Sequence, residues 1–209
     1  MTDSPSDVAD APIADDTPGG GVDLAGFAAE LSDAIGGSSW TADFDTVKVT
    51  VPADRWVEAI TKARDSGLVF FSWLSAVDWA AEVAVGEGVD DAETVEERYE
   101  VLCRLSNVTD AGAATIATNI PKDDAALDSL VPVFGGAEWH EREAAEMFGI
   151  DFRGHPNLVK IYLPDGFEGH PLRKDYPLLS REVKPWPGTV DVEGMPDTGP
   201  STENPEAGE

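Results

Sequence analysis

The residues from Tyr99 to Ile120, YEVLCRLSNVTDAGAATIATNI, decide the class of fold. The odd-numbered positions 99 to 105 are apolar, whereas Glu100 and Arg104 lie between them, and this period of two predicts a strand with one charged face. Residues 114–120 predict a second strand. The turn residues 108–112 between the two strands indicate an antiparallel pair.

The elements predicted around this pair suggest one sheet covered by helices. Apolar residues recur at helical spacing before Gly36, and again in residues 54–67, whereas the aromatic run of residues 68–76 is typical of a central strand. Another strand is predicted over residues 44–51 and a short helix over residues 123–131. This order predicts an α+β fold, a mainly antiparallel sheet with helices packed on one side, followed by an extended C-terminal docking segment.

The C-terminal docking segment begins with a predicted helix from Glu138 to Phe148, which Gly149 ends. In this helix Glu138, Arg142 and Glu146 are spaced i, i+4, so their charges are expected to pair. Two Gly-His-Pro turns and one Leu-Pro-Asp-Gly turn follow. They leave residues 159–163 as the one predicted strand in an otherwise ordered loop.

Composition divides the chain into four parts. Residues 1–21 and 188–209 are acidic and rich in Gly, Pro and Ser, so we predict two disordered tails. Residues 22–137 form the predicted α+β domain, within which residues 82–97 are an exposed acidic connection. Residues 138–187 form the predicted helix and docking segment.

Charge and hydropathy exclude several functions. A net charge of −27 disfavours nucleic-acid binding and direct adhesion to anionic lipid. The longest apolar run is too short to span a bilayer, and the acidic N-terminus does not resemble a signal peptide. The single Cys103 cannot form an internal disulfide or a metal cluster, and its strand position predicts a buried packing residue.

The basic residues are concentrated in residues 139–187. This stretch holds seven of the 14 Lys and Arg residues against eight carboxylates, a local charge of about −1, so the remainder carries about −26. Arg173 and Lys174, next to Asp175 and Tyr176, could bind a phosphate or the carboxylates of a partner. A docking surface is the preferred interpretation, because the cations and several aromatics share one ordered stretch.

The three histidines also lie in this stretch and raise an alternative, a metal-dependent hydrolase that uses them with Glu143 or Glu146. His140, His155 and His170 are fifteen residues apart, however, whereas ligands on a helix are three or four apart. Backbone hydrogen bonding at tight turns is the simpler role for these imidazoles. The sequence contains no nucleotide-binding, CxxC or GxSxG motif, so we predict no catalytic, cofactor-binding or metal-binding residue.

The chain resembles the C subunit of proton-translocating NADH:quinone oxidoreductase, respiratory complex I, the 30 kDa subunit family. The resemblance covers roughly residues 27–187, and its specific motifs are Trp139, Glu141-Arg142-Glu143, Glu146-Met147-Phe148-Gly149-Ile150, Phe152, Gly154-His155-Pro156, Leu163-Pro164 and residues 168–177, EGHPLRKDYP.

This resemblance implies a cofactor-free subunit, with FMN and iron–sulfur clusters on other subunits. It implies docking on the quinone-proximal D subunit and the cluster-bearing B and I subunits, at the cytoplasmic side of the cell membrane, with membrane contact only through the complex. A related membrane-bound hydrogenase or another quinone-reducing dehydrogenase is the alternative parent complex. The expected partner-docking residues are Trp139, Glu141, Arg142, Glu143, Glu146, Phe148, His155, His170, Arg173, Lys174, Asp175 and Tyr176.

Overall fold

A computed structural model describes residues 23–80, 95–109 and 112–177 of the chain. Both predicted tails, residues 82–94 of the predicted acidic connection and residues 178–187 of the predicted docking segment lie outside these described residues. The elements in chain order are α1 (Leu24–Ile35), β1 (Ser39–Asp43), β2 (Thr46–Thr50), a 3-10 turn (Ala53–Arg55), α2 (Trp56–Asp65), β3 (Phe70–Trp79), β4 (Arg98–Ser106), β5 (Ala113–Ile120), β6 (Ala126–Asp128), α3 (Ala137–Phe148) and β7 (Asp151–Arg153).

Strands β1 to β5 form one sheet in the order β1-β2-β5-β4-β3. The pairs β1–β2, β4–β5 and β3–β4 are antiparallel, whereas β2 and β5 run parallel. In the predicted pair of β4 with β5, Cys103 lies opposite Ile116. The predicted mainly antiparallel sheet is therefore confirmed.

One face of this sheet packs against all three helices. Alternate residues of β4, from Tyr99 to Leu105, are at most 1% exposed and share one hydrophobic core with Ile35 of α1, Ile60 of α2 and Phe148 of α3. The apolar residues that alternate along β4 pack in this core against the apolar residues that recur at helical spacing in the helices, as the sequence predicts. Cys103 is one of the buried core residues.

Local signals account for the ends of the helices. The side chain of Asp23 accepts a hydrogen bond of 2.9 Å from the backbone N–H of Gly26 and so caps the start of α1. Gly36 ends α1 with a positive φ of 77°, a left-handed conformation that glycine adopts without steric cost. Gly149 ends α3 in the same way, with φ 76°.

Two predicted elements are wrong, and the short strands β1, β6 and β7 were missed. Residues 123–131 form no helix, because residues 126–128 pair in parallel with β7 as strand β6. Residues 159–163 form no strand; the strand of this region is β7, eight residues earlier, and the later residues bind α3 through side chains instead. Strand β1 was missed because its side chains are mostly exposed and carry no apolar alternation.

Helix α3 is part of the main core, since its residues Ala137, Ala144 and Phe148 pack with the sheet residues, as do Ile150 and Phe152 just after it. The predicted boundary at residue 138, between the α+β domain and the helix with its docking segment, remains a prediction about function. None of the helices within the described residues is long and apolar enough to cross a membrane.

Candidate docking surface

Residues 154–177, which we call the strap, run over α3 and are held there by polar side chains. The central contact is Glu146, which is only 5% exposed. Its carboxylate accepts hydrogen bonds from three successive backbone N–H groups, those of Ile161 (2.9 Å), Tyr162 (3.0 Å) and Leu163. Glu146 therefore faces the strap and does not form the charge pair with Arg142 that its spacing suggested.

The pKa of Glu146 reflects this arrangement. Desolvation by burial raises the pKa, but the three N–H donors and the charge of Lys160 outweigh it and hold the pKa below the ordinary glutamate value. The ionised carboxylate is thus the form that the strap stabilises. Three backbone donors in a loop without regular structure find their acceptor in this one side chain.

A second buried carboxylate on α3 holds the turn after β6. Glu141 is fully buried, and it accepts hydrogen bonds from the Ser129 hydroxyl and the Leu130 backbone N–H, both at 2.6 Å. Burial raises the pKa of Glu141, and the two hydrogen bonds and the nearby His155 offset this only in part. The residue is an internal anchor and has no exposed surface to offer a partner.

Arg142 joins α3 to the middle of the strap. Its Nε donates a hydrogen bond of 2.9 Å to the carbonyl oxygen of Val159, and its guanidinium lies 4.9 Å from the ring centroid of Trp139. Its Nη1 is 3.7 Å from the carboxylate of Glu138, the pair that the i, i+4 spacing predicts. The guanidinium thereby orders Trp139, whose own side chain is 59% exposed.

His155 and His170 form hydrogen bonds with backbone groups, and the three histidines do not converge on one site. His155 accepts at Nδ1 from the N–H of Asn157 (3.0 Å) and donates from Nε2 to the carbonyl of Glu138 (3.1 Å). His170 donates from Nδ1 to the carbonyl of Glu146 (2.8 Å), whereas His140 contacts the ring of Phe71 edge-on. No group of three potential metal ligands occurs among residues 23–80, 95–109 and 112–177.

The end of the strap is fixed at two points. Nε of Arg173 donates to the carbonyl oxygen of Phe148 (2.6 Å), and its guanidinium lies 5.8 Å from the ring of Tyr99 on β4. The backbone N–H of Lys174 donates to Oδ2 of Asp78 (2.8 Å), while Oδ1 of Asp78 lies 2.9 Å from the ammonium of Lys122. The strap is thus bound to the sheet as well as to α3.

Close packing at Gly149 explains why glycine stands between α3 and the strap. A Cβ atom at this position would collide with the guanidinium of Arg173 and the imidazole of His170. Gly169 similarly lies against the ring of Tyr176, which stacks on Phe167 at 6.1 Å. The close approach of backbone and side chains at both glycines makes the strap a shaped, well-packed segment.

The outer surface of α3 and the strap carries several exposed apolar side chains. Tyr162 is 63% exposed although its N–H is held by Glu146, and Trp139, Leu158, Val159 and Leu172 are exposed as well. Leu158 and Val159 also line a cavity of about 310 Å³ between α3 and the strap, with Arg142 and Lys160 among its other walls. Exposed apolar groups on a rigid backbone are typical of a protein–protein contact surface.

The predicted docking residues therefore differ widely in exposure. Glu141, Glu146 and Phe148 are buried and contact their own chain, whereas the side chains of Trp139, Lys174 and Asp175 are exposed; Arg142 is largely buried, and the others are partly buried: Glu143, His155, His170, Arg173 and Tyr176. Asp78, Lys122 and Ser129 were missed as site residues, because their partners are up to 96 positions away in the sequence. The Val-Asp-Trp sequence at the end of a predicted strand was the one available signal for Asp78.

Comparisons with known proteins identify relatives of most of the chain. The family described as respiratory-chain NADH dehydrogenase, 30 Kd subunit, matches residues 49–182. The C subunit of the NADH-quinone oxidoreductase of Citrifermentans bemidjiense is 34% identical over 145 residues, 69% of this chain and 82% of the relative. The C subunit of the same enzyme in Roseiflexus sp. is 36% identical and covers 74% of this chain and 82% of the relative.

Two solved structures share the fold. A trypsin-resistant fragment of Nqo5 aligns with a TM-score of 0.51 at 20% identity, over 65% of this chain and 99% of the fragment. A chain of the membrane-bound sulfane sulfur reductase, an archaeal respiratory membrane complex, aligns with a TM-score of 0.60 at 22% identity, over 74% of this chain and 86% of that chain. The family model matches more than half of the residues of this chain, and the relatives are similar to it over most of their length. This chain therefore belongs to the 30 kDa subunit family of respiratory-chain NADH dehydrogenase.

Proposed function

We propose that this chain is a docking subunit of an NADH-quinone oxidoreductase, which presents the strap and α3 to neighbouring subunits while electron transfer takes place elsewhere in the complex. The observation that carries the proposal is the contact of Glu146 with three successive strap N–H groups. Because the strap is held before any partner binds, little conformational entropy is lost on docking.

The finer assignments follow the family relationship. We propose that the chain binds no cofactor itself, with FMN and iron–sulfur clusters on other subunits, and that it docks on the quinone-proximal D subunit and the cluster-bearing B and I subunits. We further propose a peripheral position at the cytoplasmic side of the membrane, where partner subunits hold the chain. The names of the relatives, each the C subunit of an NADH-quinone oxidoreductase, support these assignments.

Substitutions on the exposed surface test the docking role directly. Val159→Ser and Tyr162→Ser remove apolar side chains that lie outside the core, so the isolated chain should fold normally. Val108→Ser, at an exposed valine in the turn after β4, is the matched control. We expect the two strap variants to lower the yield of assembled complex and its NADH-quinone reductase activity in membranes, whereas Val108→Ser leaves both unchanged.

Normal assembly of both strap variants would contradict the docking proposal. If a variant assembles poorly and its isolated chain is also unfolded, the cause is a folding defect. The thermal unfolding transition of each purified variant is therefore measured in parallel. The subunits that co-purify with a tagged chain identify the parent complex. Their identity separates an NADH-quinone oxidoreductase from the alternative, a related membrane-bound hydrogenase or another quinone-reducing dehydrogenase.

The metal-dependent hydrolase has no converging ligand set in the part of the chain that the structure describes. The imidazoles of His155 and His170 are already hydrogen-bonded to backbone. Elemental analysis of the purified full chain is the direct test of this alternative. A metal content near one ion per chain would support the hydrolase and overturn the cofactor-free assignment.

A further inference from the structure

The face of the sheet that the described helices leave uncovered carries a row of exposed apolar side chains. On β3, Leu74, Ala76 and Asp78 point to the helices, and the alternate residues point the other way. The exposed side chains on this helix-free face of β3 are Phe70 (52%), Trp73 (37%), Val77 (38%) and Trp79 (41%). Two tryptophans exposed on one flat surface are unusual for a solvated face, because tryptophan concentrates at protein interfaces.

Cations lie beside this row. The residues of β5 on the same face are small, and long side chains from the flanking strands lie over them. Nε of Arg98 donates to Oδ1 of Asn119 (3.1 Å), and Nη1 of Arg104 donates to the hydroxyl of Thr115 (3.2 Å). The guanidinium of Arg98 also lies 5.1 Å from the ring centroid of Trp79.

The charge of this face is opposite to that of the chain. Its five strands contribute three cations, Lys48, Arg98 and Arg104, and two carboxylates, Asp43 and Glu100, an excess of one positive charge in a chain of net charge −27. Glu100 is already bound by Lys48 (2.9 Å) and by the indole N–H of Trp79 (3.0 Å). Arg104 forms no ion pair with any carboxylate of the described residues.

The side-chain face, and not the free edge of β3, is the part suited to binding. The register of β3 against β4 shifts between Phe71 and Trp73, which marks a bulge in this edge strand. Bulges in edge strands hinder the addition of a further strand. A partner would therefore contact the aromatic and basic side chains and would not extend the sheet.

We propose that this helix-free face is a second docking surface, which binds an acidic protein segment with apolar side chains from another subunit of the complex. The chain is then held between two neighbours, one on the strap and one on the opposite side of the sheet. A second copy of this chain does not fit. A symmetric dimer would place the same cations against each other and bring two chains of charge −27 together.

The proposal rests on the docking function proposed above, and oxidative footprinting of the tryptophans tests it. The experiment exposes two samples to hydroxyl radicals, the isolated full chain and the complex purified through a tagged chain. It compares the rates at which Trp73 and Trp79 are oxidised in each. We expect about fivefold slower oxidation of both in the complex, because the centre of a protein interface is desolvated. Trp56, buried in the core, should react slowly in both samples and reports correct folding.

A charge-reversed variant tests the acidic character of the partner. Arg104→Glu should weaken the second contact and restore oxidation of Trp73 in the complex, whereas Arg64→Glu, an equal change of charge on α2, should not. Carbodiimide coupling of the Lys48 ammonium to a carboxylate of another subunit, located by mass spectrometry, is the direct positive result.

Three results would overturn the second surface: equal oxidation of Trp73 and Trp79 in both samples, protection already present in the isolated chain, or coupling of Lys48 only to this chain or a second copy. If no complex is recovered with the tagged chain, the docking function itself fails. Recovery of the complex with fully reactive tryptophans refutes the second surface alone.

Discussion

The backbone N–H of Lys174 donates a hydrogen bond of 2.8 Å to Oδ2 of Asp78, a residue 96 positions earlier in the chain. Asp78 is 4% exposed and stands near the end of β3, where its other oxygen lies 2.9 Å from the ammonium of Lys122. This contact fixes the far end of the strap to the sheet. The docking surface and the core are therefore coupled through one carboxylate.

Asp78→Ala should release the end of the strap and lower the free energy of unfolding by about 1–3 kcal/mol, because a backbone donor and a partly buried ammonium lose their partner. Hydrogen exchange of residues 170–177 should accelerate. Asp128→Ala, which breaks an exposed ion pair with Arg153, is the control and should cost less than about 1 kcal/mol. Unchanged exchange in the strap would contradict the anchoring role.

The contact between Glu146 and the strap should weaken in acid. Because the pKa of Glu146 is lowered in the folded chain, its stabilising effect is present above the unfolded pKa, about 4.3, and is lost as the pH falls through the folded pKa. The amide proton resonances of Ile161 and Tyr162 should follow this titration. A midpoint at or above about 4.3 would contradict the assignment. In Glu146→Gln the titration should disappear.

Glu141 should show the opposite pH dependence. Its pKa is raised in the folded chain, so the stability it contributes is present below the unfolded pKa and is lost as the pH rises through the folded pKa. Glu141→Gln keeps an acceptor for the Leu130 N–H and should gain stability relative to the natural chain as the pH rises. Urea unfolding at several pH values measures this trend.

A matched variant separates charge from hydrogen bonding at the same position. Glu141→Leu leaves the Ser129 hydroxyl and the Leu130 N–H without their acceptor and should be about 1–3 kcal/mol less stable than Glu141→Gln at every pH. If Glu141→Gln and Glu141→Leu are equally destabilising, the hydrogen bonds of Glu141 do not stabilise the turn after β6.

Arg173→Ala should lower assembly of the quinone-proximal part of the complex while the isolated chain still folds. The variant loses the hydrogen bond to Phe148 and the contact with Tyr99, both of which hold the strap and not the core. Arg64→Ala, which removes an exposed guanidinium on α2 that pairs with the neighbouring Asp65, is the control and should leave assembly unchanged. Normal assembly with reduced turnover would instead indicate a direct role of Arg173 near the quinone.

The sequence predicted the elements that have a long hydrophobic period. Helices α1 to α3 and strand β4 show such a period and β3 shows a long apolar run, and their positions agree with the prediction. Strands β6 and β7 have three residues each, too few for a period, and are formed by pairing with each other. The acidic start signal at Asp123 favoured a helix there, but tertiary pairing decided the conformation.

The candidate site was located by composition, but its contacts were not. The concentration of cations, histidines and aromatics pointed to α3 and the strap. The main contacts, however, join a side chain of α3 or of the strap to a backbone group of the other, and every residue supplies a carbonyl and every residue except proline an N–H. The type of a residue does not reveal whether its backbone forms such a contact. The inward orientation of Glu146 could therefore be learned only from the structure.

The parallel pairing of β2 with β5 has a consequence for biosynthesis. Strand β2 pairs on one side with β1 and on the other with a strand that begins at residue 113, so the N-terminal third of the chain cannot complete its sheet until β5 has left the ribosome. Helix α3 follows later still, and the strap is held only by α3 and the finished sheet. An incompletely folded chain therefore has no ordered strap, and the docking proposed above would admit only subunits that have finished folding.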